Sequence, residues 1–390
     1  MDKAENGGLI MTNKITPKAI RKNNRKQIYD YIYANEKVSQ NDISSALSLS
    51  RPTVATNIAE LENDGLIFKD GQQDSDQIGR KAIVYSVVPD YRIALGVELI
   101  DRQVKIISVD LFGNKIDRTV TKLKYQNNET YYSKVCDLIN EHILSIGITP
   151  DRVLGVGISM QGLVSPDGKT IIYGEIMKCT GITIDVFKKH LPYECTFVHD
   201  PECAALSELW VSPELSSAIY LSLSEHLGAA MILRRNIVRG KSGHCATFEH
   251  IQYDPKGEKC YCGKTGCFET VLSMHSLLGE EDEEKFFSEA RKAGTRESSK
   301  WQSYLYILGS LIGAVHLVND VDFILGGHLA PFFTEEDIRV LYDVVRRDCP
   351  FEEPDNFILI SKMPSHNINI GAALPFIKKF LENTDYVISA

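Results

Sequence analysis

The sequence predicts an α/β protein of more than one domain: a small head of three helices and a β-hairpin, then a larger body in which strands and helices alternate. Three observations lead there. The chain has 390 residues, about twice the roughly 100–200 of a typical domain. Hydrophobic residues at 43%, charged residues at 24% and aromatics at 9% match ordinary globular proteins, which excludes a fibrous or largely disordered chain. Charge is also partitioned. The first ninety residues hold 12 basic and 12 acidic side chains, so the whole net charge of −9 lies beyond them.

That partition matters because a net charge of −9 would by itself discourage a nucleic-acid partner. Within the neutral head, Lys14, Lys18, Arg21, Lys22, Arg25 and Lys26 form a run without an acid, suited either to solvent or to phosphate. No apolar stretch reaches the roughly 20 residues of a membrane helix, and the first residues lack the pattern of a signal peptide. A cytoplasmic protein without membrane partners is therefore expected. Nine cysteines, three of them bunched, read as free thiols plus a metal site rather than a disulfide framework.

In the head, Ile28, Tyr31 and Ile32 fall at helical spacing, and a second short helix runs from Asp42 through Leu47. Ser50 caps a third, with Pro52 in its first turn, where the missing N–H costs nothing. Val54, Ile58 and Leu61 form its buried stripe, and Asp64-Gly65 ends it. Arg51, Thr53, Thr56, Asn57 and Glu60 are read as its outward polar face, fitted to base edges and phosphates. Strands at Leu66–Lys69 and Ala82–Val88 flank a polar loop ending in Gly79-Arg80-Lys81. Three helices and a two-stranded hairpin describe a winged helix-turn-helix, over residues 24–90, behind a basic arm at 1–23. A small protein-interaction domain would have the same periodicity.

Further along, Cys260-Tyr261-Cys262-Gly263-Lys264-Thr265-Gly266-Cys267 places three thiols within eight residues, with two glycines to let the backbone turn. A closed zinc site needs a fourth ligand. His250 is the best placed by spacing, with His244, Cys245 and His275 as rivals.

Ser50-Arg51-Pro52-Thr53-Val54, the Leu61–Ile67 turn and the Gly-Arg-Lys of the wing resemble the N-terminal domain of regulators in the ROK family of repressors, open reading frames and sugar kinases, in its xylose-repressor-like branch. Cys-x-Cys-Gly-x-x-Gly-Cys-x-Glu, from Cys260 to Glu269, matches that family's zinc loop. The resemblance runs nearly the full length. It implies DNA binding through Ser50, Arg51, Thr53, Thr56, Asn57, Arg80 and Lys81. It also implies one structural zinc on His250, Cys260, Cys262 and Cys267, and a two-lobed, actin-like and ribonuclease-H-like sugar-kinase body. The first lobe is expected at 91–198 plus 372–390, with strands at Ile93–Leu99, Val104–Asp110 and Val153–Ser159. The second is expected at 199–371, with strands at Ala218–Leu223, Ala229–Leu233 and Phe323–Gly327 and a helix at Trp301–Val318.

Kinases of this family bring glycine-rich turns to the nucleotide phosphates and use a carboxylate base. Where they have Asp-x-Gly-Gly-Thr this chain has Glu98-Leu99-Ile100-Asp101-Arg102, and where they have Gly-Thr-Gly-x-Gly it has Ser224-Glu225-His226-Leu227-Gly228. Side chains and added carboxylates in both turns obstruct phosphate, so no ATP binding and no enzymatic activity are expected. The family's base is kept as Asp200, between His199 and Glu202 in place of asparagines. Its Gly-Glu-x-Gly-His sugar segment is Ala246-Thr247-Phe248-Glu249-His250, and the Glu after the zinc cysteines is kept as Glu269. Glu175, His199, Asp200, Thr247, His250 and Glu269 are thus the expected effector contacts. The resemblance implies a homodimer or dimer of dimers that binds double-stranded operator DNA, represses carbohydrate-related genes and senses a sugar or sugar phosphate. An active sugar kinase, or a regulator answering to a protein partner, are the alternatives.

Overall fold

The computed structural model describes residues 16–72, 81–352, 355–363 and 368–383. They fall into two compact units, one drawn from Met1–Tyr91 and Lys378–Ala390, the other Arg92–Ile377.

In the first unit three capped helices enclose a small core. Thr16 accepts the Ala19 amide at the start of α1 (Pro17–Asn35). Ser39 and Asp42 form a reciprocal capping box on α2 (Gln40–Leu47), and Ser50 accepts the Thr53 amide on α3 (Arg51–Asn63). Each cap satisfies helix amides that lack intrahelical partners. β1 (Val38–Ser39), β2 (Ile67–Gln72) and β3 (Ile83–Val87) make an antiparallel sheet in the order β1-β3-β2. Ile28, Tyr29, Ile32, Ile43, Val54, Ile58 and Leu61 of the three helices are all buried. The basic run departs from the expected arm, because residues from 17 onward are helical. Arg21 pairs with Glu60, Arg25 with Glu60 and Asp64, and Lys26 with Asp30. Two of these carboxylates, Glu60 and Asp64, come from positions more than thirty residues away, beyond the reach of local charge counting.

The second unit is built on two five-stranded sheets. The first contains β4 (Ile93–Ile100), β5 (Gln103–Val109), β6 (Lys115–Lys122), β7 (Val153–Met160) and, beyond a small hairpin of β8 (Leu163–Val164) and β9 (Ile171–Tyr173), β10 (Cys195–His199). The second contains β11 (Ala218–Leu223), β12 (Leu227–Leu233), β13 (Asn236–Val238), β14 (Asp322–Gly326) and β15 (Ile358–Ile360). Their orders, β6-β5-β4-β7-β10 and β13-β12-β11-β14-β15, are the same pattern: an antiparallel pair leads into three parallel strands. This duplication of topology has no visible counterpart in the sequence.

Helices supply the layers. α4 (Glu129–Ser145) and the single turn α5 (Asp185–Lys188) bury Tyr132, Ile139 and Phe187 against Leu95, Ile158 and Phe197 of the first sheet. α6 (Asp200–Val211) leaves that sheet directly after β10. The short helices α7 (Glu269–Leu272), α8 (Met274–Leu278) and α9 (Glu283–Ala290) join the long α10 (Arg296–His316) and α11 (Glu335–Asp348) on the second sheet. There the wholly buried Trp301 donates to Asp337 at 2.8 Å, and Asp337 also caps α11 and pairs with Arg291. α12 (Ile368–Glu382) returns to the first sheet. A Cβ on Gly157 would lie 1.8 Å from the Ala372 carbonyl oxygen, so glycine is what lets the helix backbone approach the strand.

Candidate functional site

Three groups of residues carry chemistry. On the head, Ser50 and Arg51 are exposed at the start of α3, Thr56 is exposed one turn on, and Thr53 is half-buried, its hydroxyl 2.8 Å from that of Ser50. Asn57 does not join this face. It is 3% exposed and its amide donates to the Thr53 carbonyl at 2.8 Å. Position 57 lies three residues after Val54 and four before Leu61, so helical geometry puts it on the buried stripe. Lys81 is exposed beside β3, while Arg80 lies outside the described residues.

The second group is the cysteine loop. Nitrogen or sulfur atoms of His250, Cys260, Cys262 and Cys267 all lie within 4.8 Å of one another. Cys262 Sγ and Cys267 Sγ are 3.7 Å apart, and Cys260 Sγ is 3.8 Å from His250 Nδ1. Tetrahedral zinc with sulfur at about 2.3 Å would set its sulfurs roughly 3.8 Å apart, so the residues fit a metal ion. The turn is held by Cys260 N to Lys264 O at 2.8 Å and Gly263 N to Cys260 O at 2.9 Å. Gly266, at φ +71°, lies so close to Asp254 that a Cβ would meet its carbonyl oxygen. Of the rivals, His244 and His275 are exposed and Cys245 rests against Met231.

Beside this loop is a pocket floored by the start of α6 and walled by the β8–β9 hairpin, the β11–β12 turn and the 248–250 turn. It brings together Glu175, His199, Asp200 and His250 of the expected contacts. Thr247 and Glu269 do not line it. The Thr247 hydroxyl donates to the His244 carbonyl at 3.1 Å, and Glu269 is buried beneath, accepting from His226 at 2.7 Å and from the Leu227 amide at 2.9 Å. His226, Glu249 and Tyr261 line the pocket without having been expected. His250 and His226 each meet the Tyr261 ring edge-on, at 5.2 and 5.5 Å between centroids, which links the metal loop to the pocket.

Burial dominates the electrostatics. It pushes Asp200 up to about 7, helped by nearby Glu98 and Glu202 and opposed by a backbone hydrogen bond. Burial likewise pushes Glu249 up to about 8 and His199 down to about 3. His226 is pushed down by burial but raised overall by its hydrogen bond to Glu269 and the surrounding carboxylates.

Two turns stand where the comparison with kinases expects phosphate loops. Asp101 and Arg102 form the tight, exposed turn between the paired Ile100 and Gln103. In the other, Ser224 O accepts the first amide of α8 at 2.8 Å and Ser224 Oγ receives the His328 amide at 3.2 Å.

Comparison with known proteins places this geometry. Residues 21–67 match the winged helix-turn-helix DNA-binding model, and 95–346 match the ROK family. A xylose repressor from Caldicellulosiruptor bescii is 23% identical over 93% of this chain and 97% of its own. The fold is that of a ROK family transcriptional regulator described as a homolog of E. coli MLC protein, with a TM-score of 0.71 at 20% identity, covering 95% of this chain and 98% of that one. It is also that of a ROK hexokinase from Thermus thermophilus, with a TM-score of 0.63 at 18% identity over 75% of this chain and 100% of that one. With the family model spanning well over half its length, the chain belongs to the ROK family.

Proposed function

We propose that the protein is a DNA-binding transcriptional repressor of carbohydrate-related genes whose ROK body binds a sugar or related small molecule and transfers no phosphate. The observation that carries this reading is the union, in one chain, of a capped and exposed α3 on a winged head with a sugar-kinase body whose β11–β12 turn is occupied by His226 and tied to Glu269. A phosphate-binding turn needs free backbone amides. Here the Leu227 amide is committed to a side chain.

Arg51 and Thr56 are the base-reading residues in this account, with Ser50, Thr53, Arg80 and Lys81 at the backbone. Asn57 holds the helix. Zinc on His250, Cys260, Cys262 and Cys267 is structural, since four protein ligands leave no open position. Two heads on a homodimer would read two half-sites, because one small head buries limited DNA surface. A ligand bound more tightly by one state of the body shifts the dimer between DNA-competent and incompetent forms.

The test is fluorescence anisotropy of the full-length protein with genomic fragments, in parallel with coupled ATP-consumption assays over a panel of hexoses, pentoses and amino sugars. Sequence-selective binding without turnover supports the proposal. The retained Asp200 and the kinase-like fold give the enzyme reading its one foothold. Sugar-dependent turnover abolished by Asp200→Asn would establish that reading instead.

A further inference from the structure

We infer that the pocket takes an unphosphorylated sugar, and that Glu249 is the carboxylate that receives hydrogen bonds from the sugar's hydroxyl or amine groups. The inference rests on the sensor reading above and names the ligand class for that same site.

Glu249 is 5% exposed, lines the pocket, and its Oε2 has no hydrogen-bond partner. A buried carboxylate oxygen without a donor is costly, and native proteins seldom leave one so unless a ligand supplies the donor. Position also singles it out. Thr247 stands where the family resemblance expects a sugar-binding carboxylate, and its hydroxyl turns away to His244. Two residues on, in the 3-10 turn Phe248–His250, the chain carries a carboxylate where the family has glycine. At about three residues per turn, positions 247 and 249 face different directions. The pocket has therefore regained a carboxylate from a new direction.

The lining offers a phosphate ester no cationic side chain. Glu175, Asp200 and Glu249 line the pocket, and no lysine or arginine among the described residues does. Lys178 pairs with Glu175 at 3.0 Å, and Arg239 is committed to Glu202 at 2.8 Å. The imidazole of His226 is held by Glu269, and His250 belongs to the cysteine cluster. The start of α6 also borders this region, and Asp200, its first residue, places its carboxyl group there. Phosphate sites rely on Arg, Lys or unoccupied helix amides. Neither Arg nor Lys lines this pocket among the described residues, whereas oxygen groups that can take hydrogen bonds from O–H and N–H donors abound.

Isothermal titration of the zinc-loaded, full-length protein decides the matter, with xylose, glucose, glucosamine and N-acetylglucosamine set against glucose 6-phosphate, glucosamine 6-phosphate and N-acetylglucosamine 6-phosphate. At least one free sugar is expected to bind, with any phosphate ester of it at least tenfold weaker. Glu249→Gln should weaken that sugar tenfold or more, and Thr247→Ala should bind it as the parent does. Zinc content and unfolding midpoint verify that Glu249→Gln is folded. A phosphate ester that binds more tightly than its parent sugar, or unaltered affinity in Glu249→Gln, overturns the inference while leaving the sensor reading intact. No response to any of the seven compounds, in protein that still binds operator DNA, rejects sugar sensing and the inference together.

Discussion

His226 Nδ1 lies 2.7 Å from Glu269 Oε1, and the other oxygen of that carboxylate accepts the Leu227 amide at 2.9 Å. Glu269 follows the last cysteine of the metal cluster by two residues. One carboxylate thus ties the β11–β12 turn to the metal loop and braces the pocket wall.

This contact should hold His226 protonated to higher pH than a free imidazole. Burial lowers the His226 value, but the hydrogen bond and charge of Glu269 carry it above the usual imidazole value near 6.5. Its contribution to stability is complete below that unfolded value and is lost as pH rises through the elevated folded one. Relative to the parent, Glu269→Gln should lose about 1–2 kcal/mol at pH 6 and progressively less above the folded value. Proton NMR titration of His226 checks the direction, which reverses if its midpoint falls below 6.5 in the parent.

Asp200 behaves oppositely. Its folded value of about 7 exceeds that of the unfolded chain, so its burial costs stability increasingly from the unfolded value, near 4, up to about 7 and no further above. Denaturant unfolding of Asp200→Asn against the parent should show a gap, in favour of the variant, that widens by up to about 2 kcal/mol between pH 5.5 and 7. A constant gap over that range would mean that the carboxylate is not held in its neutral form.

Metal analysis of protein purified without chelators is expected to find one zinc per chain. Cys262→Ser should reduce it below stoichiometry and destabilise the second unit by several kcal/mol, because the energy of a structural zinc is folding energy. Full zinc retention in that variant would remove Cys262 from the ligand set.

On the head, Arg51 and Asn57 separate cleanly. Arg51→Ala should cost about 1–3 kcal/mol of operator affinity without changing the unfolding midpoint. Asn57→Ala should lower head stability by about 1 kcal/mol and leave the order of preference among DNA sequences unchanged. Altered sequence preference in Asn57→Ala would place that side chain at the DNA.

The sequence made some of this legible and hid the rest for physical reasons. Val54, Ile58 and Leu61, and the apolar runs of β4 and β11, declare their elements because burial imposes a period. The same stripe should have placed Asn57 inside, but its polarity suggested a surface role. β6 was hidden because it lies at a sheet edge, where Lys115, Asp117 and Arg118 sit among half-exposed residues and the strand resembles a loop. The cysteine loop was legible because four ligands must be near in space and here are nearly so in sequence. His226 and Glu249 escaped because motif comparison asks which family residues are missing; what stands in their place shows only once the turns are folded around the pocket.

The central claim, a DNA-reading head on a non-catalytic sensor, is tested most directly by sequencing the genomic DNA that the full-length protein retains at physiological salt. The account predicts a few strongly enriched sites sharing a two-fold symmetric motif, as expected for paired heads. Retention of fragments without sequence preference, or of none, would contradict it.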